Sequence, residues 1–380
     1  MRIIIAIDSF KGSLSSREAG EAALCAAREV FPEAQAEVFL LADGGEGTAH
    51  AIISANGGVM RHCRVHGPLG EAVDAAYGIL PSTNTAVIEM AEAAGLTLVP
   101  PEKRDPEMTT TYGVGELIRD AIEHGCRDFI IGIGGSATND GGVGMLTALG
   151  FAFLDKNGAP IPQGAAGLAK IDRIVLDGAH PALSECRFTV ACDVTNPLCG
   201  KNGCSAVYGP QKGASPEAVE RMDRALAHYA ALTEKAVGRS FESTPGAGAA
   251  GGMGFALFAY LGAVAEAGIS LVMRTTGLKD GLCGADLVIT GEGRIDRQSA
   301  MGKAPIGVAA EAKKQGATVI ALCGCLGEGA EACNTAGIDA IFPILGAPIS
   351  VAEAMHPATA RESLYKTARQ ALLLYRAAKA

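Results

Sequence analysis

Three polar loops of the sequence combine carboxylates with cationic side chains, and each directly follows a short apolar run. The chemistry-bearing residues are Asp8 and Lys11 in the first loop, Asp43 and Glu46 in the second, and Glu292, Arg294 and Asp296 in the third. Mg²⁺ prefers one or two carboxylates plus phosphate oxygens, and Lys or Arg neutralises the remaining charge, so this composition suits Mg²⁺ and phosphate. Structural roles stay open, because Asp8 could cap a helix or turn and Asp43 could form an Asx turn.

A glycine-rich loop, residues 132–142 with the sequence GIGGSATNDGG, lies between a predicted strand and a predicted helix. Backbone N–H groups and hydroxyls at a helix N-terminus form an anion cradle, which favours phosphate. The spacing Gly132-x-Gly134-x-x-Ala137 also fits a loose dinucleotide fingerprint, with Asp155 about 20 residues further on. An NAD(P)-dependent dehydrogenase is therefore the alternative function. The sequence contains no Walker A motif, so a nucleotide site here is of another type.

Two further loops carry candidate ligands. In ACDVTNP, residues 191–197, Asp193 and Asn196 leave a strand and could bind a metal or a hydroxyl group. In PGAGAAGG, residues 245–252, the glycines predict either a second anion cradle or a close-packed helix start. The seven histidines form no ligand pattern, and the absence of a Gly-x-Ser-x-Gly elbow disfavours a serine hydrolase.

Alternating strands and helices must position these loops. Ile3–Ile7 predicts a buried strand, and Ser15 with Glu18 has the spacing of a capping box that opens a helix. Glu37–Leu41 begins a second strand-loop-helix unit. Two such units in series predict a parallel sheet with right-handed crossovers, in which ligands bind beyond the carboxyl ends of the strands.

The pattern changes after residue 58. Val59–Val65, Val73–Leu80 and Thr85–Met90 are strand-like runs with short connections, which predicts antiparallel pairing in a second domain. From residue 285 the strand-loop-helix pattern returns, and Asp286–Thr290 predicts a strand that leads into a loop at Gly291–Asp296.

These observations predict an α/β protein with two α/β domains. Residues 1–60 and 283–380 form a discontinuous domain with a flavodoxin-like or Rossmann-like parallel sheet built from both chain ends. Residues 61–282 form an inserted domain with a mixed sheet and the glycine-rich phosphate loops. A domain break near residue 150 is the alternative.

Composition limits the class of partner. The 380 residues are 48% apolar and 19% charged, which supports a large core, and a net charge of −9 without a basic run argues against nucleic acid or an anionic membrane. The N-terminal apolar run is too short for a signal peptide, and the uncharged stretch of residues 247–265 is mostly Gly and Ala. Eleven cysteines without a CxxC pair indicate reduced thiols, so a cytoplasmic location is expected.

Taken together, the loops resemble one family, the bacterial type I glycerate kinases of the glyoxylate and glucarate pathways (glycerate 2-kinases). The matching stretches run in order along nearly the whole chain: DSFKGSLS (8–15), ADGGEGT (42–48), TYGVGELI (111–118), GGSATNDGG (134–142), ACDVTNPLCG (191–200), YGPQKGA (208–214), PGAGAAGG (245–252) and ADLVITGEGRID (285–296). This resemblance implies ATP-dependent phosphorylation of D-glycerate with Mg²⁺ on a two-domain scaffold. It favours 2-phosphoglycerate over 3-phosphoglycerate as the product.

Residue roles follow from the resemblance combined with the loop chemistry. We expect catalytic roles for Asp8, Lys11, Asp43 and Asp193. Substrate binding is expected from Ser9, Ser13, Arg294 and Lys303. The ATP phosphates are expected at Gly134, Gly135, Ser136, Thr138, Asn139, Gly248 and Gly251. Metal binding is expected from Asp193, Glu292 and Asp296.

The expected partners are therefore two small molecules, D-glycerate and ATP, with no nucleic acid and no membrane. A homodimer is kept open. A non-catalytic nucleotide sensor on the same scaffold is a third class of function, since fold does not fix function.

Overall fold

The computed structural model describes residues 1–379. The fold is α/β, as predicted, with one parallel sheet and one separate mixed sheet. The strands are β1 (Arg2–Ile7), β2 (Gln35–Val38), β3 (Val59–His66), β4 (Ala72–Leu80), β5 (Thr85–Glu89), β6 (Asp128–Gly132), β7 (Ala152–Leu154), β8 (Arg173–Val175), β9 (Arg187–Ala191), β10 (Val264–Glu266), β11 (Leu287–Ile295), β12 (Thr318–Leu326) and β13 (Ala340–Pro343).

Helices connect these strands. They are α1 (Ser16–Val30), α2 (Thr48–Asn56), α3 (Ala91–Ala94), α4 (Tyr112–Glu123), α5 (Val143–Ala148), α6 (Ala165–Leu168), α7 (Cys204–Tyr208), α8 (Pro216–Val237), α9 (Ala249–Leu261), α10 (Gly268–Thr275), α11 (Leu278–Gly281), α12 (Ala304–Lys314), α13 (Ala332–Thr335), α14 (Val351–Met355) and α15 (Pro357–Lys379). Short 3-10 turns occur at Leu96–Leu98, Pro101–Lys103, Pro181–Glu185, Pro210–Lys212 and Ser299–Met301. Within the described residues, none of the helices is long and apolar enough to cross a membrane.

The chain forms two compact units. Unit 1 contains residues 1–43, 54–56 and 269–380, and unit 2 contains residues 44–53 and 57–268. The changeovers therefore fall at Asp43 and Gly268 in the structure, whereas the sequence pattern suggested residues 60 and 283.

Unit 1 is built on a five-stranded parallel sheet in the order β13-β12-β11-β1-β2. Alternate side chains of β1 point to opposite faces of the sheet, and helices cover both faces, so the strand is buried on both sides. Ile3, Ile5 and Ile7 pack with α1 and α15, whereas Ile4 and Ala6 pack with the buried faces of α10, α11 and α12. The expected capping box of α1 is present, since Ser15 accepts from the Glu18 amide and Glu18 accepts from the Ser15 amide.

The order of the strands defines where unit 1 can bind a ligand. β1 has β2 on one side and β11, which returns from far along the chain, on the other. Crevices outside the carboxyl ends of parallel strands open at such a switch point. The loops after β1 and along the end of β11 flank this point, so the topology brings the first and third polar loops together.

Unit 2 contains a six-stranded mixed sheet in the order β10-β9-β6-β5-β4-β3. As predicted, β3 pairs with β4 and β4 with β5 in antiparallel fashion, whereas β5, β6, β9 and β10 are parallel. The carboxyl ends of the parallel strands are level, because Glu89, Gly132 and Ala191 pair side by side. The glycine-rich loop after β6 and the Asp193 loop after β9 therefore leave the same edge of the sheet.

The third polar loop differs from the sequence expectation. β11 continues through Ile295 and stays paired with β12 up to Leu326, so Glu292 and Arg294 lie on a strand instead of a loop. The glycine at 291 permits this pairing, because a Cβ there would lie 2.0 Å from the Leu322 carbonyl oxygen. Glycine at this position therefore marks a close strand approach rather than a turn.

Candidate functional site

A cavity of about 730 Å³ lies at the switch point of the unit 1 sheet. Its polar wall contains nine of the predicted residues, drawn from all three polar loops and the start of α12. These are Asp8, Ser9, Lys11, Ser13, Asp43, Glu292, Arg294, Asp296 and Lys303. Its other wall is apolar and includes Ile344, Ile349, Val351 and Met355. All of the predicted catalytic and substrate-binding residues of unit 1 therefore face one cavity.

Asp8 is the most perturbed acid of this cavity. It is only 5% exposed, and its Oδ1 accepts a hydrogen bond of 2.7 Å from the Ser9 amide. Burial, reinforced by the negative charges of Asp43 and Glu292, raises the pKa of Asp8 from 3.8 to about 7. The Ser9 hydrogen bond and the charge of Lys11 oppose this rise without cancelling it. A carboxyl group with a pKa near neutrality is suited to accept or donate a proton.

The acids of β11 have different surroundings. Glu292 Oε1 accepts from the Ser299 hydroxyl at 2.5 Å, and burial raises the pKa of Glu292 despite this bond and the nearby charge of Lys303. Asp296 is committed to its own turn, because its Oδ1 accepts from the Gln298 amide at 2.9 Å and its Oδ2 pairs with Arg294 Nε at 3.1 Å. Of the two, Glu292 keeps more of its capacity for a ligand.

Cations and hydroxyls complete the unit 1 cavity. Lys11 and Arg294 are exposed, and Lys303 is half-buried at the N-cap of α12. The Ser13 hydroxyl oxygen is buried and has no hydrogen-bond partner within the described residues. A buried hydroxyl without a partner is costly unless a ligand satisfies it. The cavity therefore offers an anion both cationic side chains and an unused hydroxyl group.

The glycine-rich loop of unit 2 presents a second set of anion-binding groups. Gly134 and Gly135 are exposed at its tip, and no hydrogen bond within residues 1–379 uses the amide of Gly134, Gly135 or Ser136. The side chains of Thr138 and Asn139 are fully buried, and Thr138 Oγ1 and Asn139 Oδ1 have no hydrogen-bond partner there. Unused amides and hydroxyls in one loop are the groups that bind phosphate.

The PGAGAAGG segment is a packing surface for this loop. Gly251 has φ +65°, and a Cβ on it would lie 2.0 Å from the Thr138 carbonyl oxygen. Gly248 is equally crowded, with the Pro197 carbonyl oxygen 2.2 Å from the position of a Cβ. Both glycines are buried, which favours the close-packed alternative: Gly251 packs against the glycine-rich loop after β6, and Gly248 packs against the loop after β9.

Two other acids of unit 2 bond to backbone amides. Asp193 Oδ1 accepts from the Gly268 amide at 2.8 Å, and both residues belong to unit 2. Glu89, the last residue of β5, accepts from the amides of Gly47 and Ala49 at the start of α2. Burial raises the pKa of Glu89 to about 7.

The geometry of the glycine-rich loop does not match the dinucleotide-binding fingerprint. Helix α5 begins only at Val143, six residues beyond Ala137, so the tight turn of the fingerprint is missing. The acid expected near the ribose, Asp155, follows β7, which belongs to a separate two-stranded sheet with β8. Its carboxylate accepts from the amides of Asn157 and Ala159 and closes a local turn.

Sequence reasoning missed Lys212. It lies in the 3-10 turn Pro210–Lys212, is 2% exposed, and donates from Nζ to Ser136 Oγ at 2.8 Å and to the Thr138 carbonyl oxygen at 2.6 Å. The signal available in the sequence was its place in the YGPQKGA stretch. No local pattern connects residue 212 to a loop more than 70 residues earlier.

Comparisons with known proteins agree with one another. The model of the glycerate kinase family matches residues 3–376. A glycerate 2-kinase from Escherichia coli (strain K12) is 51% identical over 345 residues, and a glycerate kinase from Haemophilus influenzae is 50% identical over 345 residues, with 91% of each chain covered in both cases. A crystal structure from Salmonella typhimurium LT2, assigned as glycerate kinase 2, superimposes with a TM-score of 0.89 at 47% identity and covers 100% of this chain and 99% of that one. This chain belongs to the glycerate kinase family.

Proposed function

We propose that this protein transfers the γ-phosphoryl group of ATP to a hydroxyl group of D-glycerate and forms 2-phosphoglycerate. The observation that carries the proposal is the unit 1 cavity, where a buried carboxyl group with a pKa of about 7 lies among cations at the switch point of a parallel sheet. Family membership supports the same reaction.

Glycerate is a small anion that also carries hydroxyl groups, and the cavity walls match this chemistry. Lys11, Arg294 and Lys303 supply positive charge for its carboxylate, and the unpartnered Ser13 hydroxyl can bond to a substrate oxygen. Lys11 is our choice for the first contact, because its loop also carries Asp8. Ser9 holds Asp8 in place through its amide.

Asp8 is proposed as the general base that accepts the proton of the attacking hydroxyl group. Its raised pKa keeps the carboxylate basic enough for this transfer near neutral pH. Phosphoryl transfer depends mainly on positioning and charge neutralisation, so the base needs only to remove the proton as the hydroxyl attacks.

The phosphates of ATP are assigned to the glycine-rich loop of unit 2. Its free amides at Gly134, Gly135 and Ser136 and its Thr138 hydroxyl are the donors expected to bind them, whereas the unpartnered Asn139 Oδ1 can only accept and is not a phosphate ligand.

The donor set of unit 1 fits Mg²⁺. Among residues 1–379, no three His, Cys, Asp or Glu side chains are grouped to enclose a metal, and Mg²⁺ requires only one or two carboxylates when phosphate and water supply the other oxygens. Asp43 and Glu292 would hold the ion, and the repulsion that both exert on Asp8 is the excess negative charge that a cation relieves. Bound there, the ion would neutralise charge on the transferred phosphoryl group. Asp193 stays a second candidate, and Asp296 is bound to its own turn.

The decisive experiment compares ligands and then follows turnover. Thermal stabilisation by Mg-ATP but not by NAD(H), together with D-glycerate-dependent ADP release in a coupled assay, would support the kinase. Stabilisation by NAD(H) alone would contradict it, and ATP binding without turnover would indicate a nucleotide sensor. Phosphorus NMR of the product identifies the hydroxyl that carries the phosphate.

A further inference from the structure

Lys212 is a buried cation without a carboxylate partner. Its ammonium group forms no ion pair within the described residues, and its two hydrogen bonds go to neutral acceptors, Ser136 Oγ and the Thr138 carbonyl oxygen. The acid that acts on it, Asp140, is itself buried and accepts from the amides of Thr111, Gly142 and Gly144. An unpaired buried charge is expensive unless it is compensated.

The hydrogen bond to Ser136 has a defined direction. An ammonium group can only donate, so Ser136 Oγ accepts from Lys212 and its own hydroxyl hydrogen stays available for another acceptor. Ser136 lies directly beside the exposed tip at Gly134 and Gly135, whose amides are also unused. The loop thus exposes donors on its outer side and has a positive charge immediately behind it.

A second observation is independent of Lys212. Thr138 Oγ1 and Asn139 Oδ1 are buried in the same loop and have no hydrogen-bond partner within residues 1–379. Native structures rarely leave such groups unsatisfied. The Thr138 hydroxyl can donate to an anion beside the unused amides, whereas Asn139 Oδ1 can only accept and does not itself point to a phosphate.

We propose that Lys212 is a positioning residue of the nucleotide site, which orients the Ser136 hydroxyl and fixes the Thr138 carbonyl so that the loop binds the phosphates of a nucleoside triphosphate. This inference rests on the proposed function, because ATP is taken as the ligand of the loop. The positive charge of Lys212 and the hydrogen-bond donors of the loop would then act on the same phosphate group.

If Lys212 has this role, ATP binding should be accompanied by measurable proton uptake, because the pKa of Lys212 is lowered in the free protein. Burial lowers its pKa from 10.5 to about 8, while Cys204 of α7 and Asp140 raise it in opposition. An anion bound at the loop favours the charged form and raises the pKa again. Near pH 8 the free protein is only partly protonated at this group, so ATP binding takes up a fraction of a proton.

The first test is calorimetric titration with ATP in the absence of glycerate. Lys212→Met, which removes charge and donors, should raise the Kd for ATP at least about tenfold. Lys212→Gln keeps a donor and should show a smaller rise. The exposed Lys156 is the matched control, and Lys156→Met should bind within about twofold of wild type. A folded Lys212→Met variant that binds ATP as tightly as wild type would overturn the inference.

The second test needs no folded Lys212→Met variant. Titrations of the wild-type protein at pH 8 in buffers of different ionisation enthalpy measure proton uptake directly, and uptake should disappear in Lys212→Gln. Absent uptake in wild type, or unchanged uptake in Lys212→Gln, would refute the role of Lys212. A wild-type protein that neither binds ATP nor releases ADP with glycerate would instead contradict the proposed function itself.

Discussion

We predict that the buried carboxylate of Asp8, the proposed general base, destabilises the folded protein. In Asp8→Asn the amide oxygen can still accept the Ser9 hydrogen bond, but the buried negative charge and its repulsion with Asp43 and Glu292 are removed. The variant should therefore be more stable than wild type and nearly inactive, with kcat lower by about 10²-fold to 10⁴-fold.

The magnitude follows from the pKa of Asp8. A rise from 3.8 to about 7 is roughly three units, and each unit corresponds to about 1.4 kcal/mol, so the ionised carboxylate costs the folded state up to about 4 kcal/mol. Because the asparagine amide is also desolvated, we expect a gain of about 2–4 kcal/mol above pH 7.

Proton linkage determines how the stability advantage of Asp8→Asn changes with pH. Above pH 7 Asp8 is ionised in both the folded and the unfolded states, and the folded state bears the whole cost. Between pH 7 and 4 the folded state holds a proton that the unfolded state has lost, so lowering the pH stabilises wild type relative to the variant. The stability advantage of Asp8→Asn should thus shrink by about 1.4 kcal/mol per unit below pH 7.

Urea unfolding at pH 5 to 8 with EDTA, compared between wild type and variant, measures this difference. Asp280→Asn is the control, because Asp280 is an exposed acid of unit 1 and its substitution should change neither stability nor turnover appreciably. If the difference in the free energy of unfolding stays constant with pH, or if Asp8→Asn is less stable than wild type, the charge of Asp8 does not destabilise the folded protein.

Three other substitutions test separate parts of the site. Lys11→Ala should reduce kcat/KM for glycerate at least about tenfold in the coupled ADP assay and leave the Tm nearly unchanged, because Lys11 is exposed; near-normal turnover would remove Lys11 from the mechanism. Gly251→Ala should destabilise the protein by about 2 kcal/mol or more and weaken ATP binding, since φ is +65° and the Cβ would collide with the Thr138 carbonyl; calorimetry and thermal unfolding measure both. Ser15→Ala should lower the free energy of unfolding by about 1 kcal/mol through loss of the capping box of α1, with ATP affinity unchanged.

Local patterns predicted the elements that depend on local interactions. The strand of isoleucines and the capping box at Ser15 depend on residues within one strand or one turn, and both are present in the structure. The first two polar loops could be placed after strands for the same reason, whereas the third belongs to β11. Whether the proposed residues act as expected stays a prediction for the experiments above.

Features that depend on distant contacts could not be predicted. The extension of β11 relies on close approach to β12, and the glycines that permit it have the composition of a loop. Lys212 becomes a site residue only because the fold brings it to Ser136, and its burial reverses the usual expectation for lysine. Similarly, the sequence shows Glu89 only as the end of a buried strand, and its hydrogen bonds to two amides at the start of α2 depend on the fold.

The two perturbed groups together define a pH range for activity. Asp8, with a pKa of about 7, must lose its proton to act as base, whereas Lys212, with a pKa of about 8, must keep its proton to charge the phosphate loop. The acid limb of kcat/KM for glycerate should lie near pH 7 without the ion and move to lower pH with Mg²⁺ at Asp43 and Glu292, which relieves the repulsion on Asp8; at low ATP the value should fall above about pH 8. Saturating ATP should shift the alkaline limb to higher pH, because the bound anion holds the proton on Lys212. An alkaline limb that does not move with ATP concentration would assign it to another group.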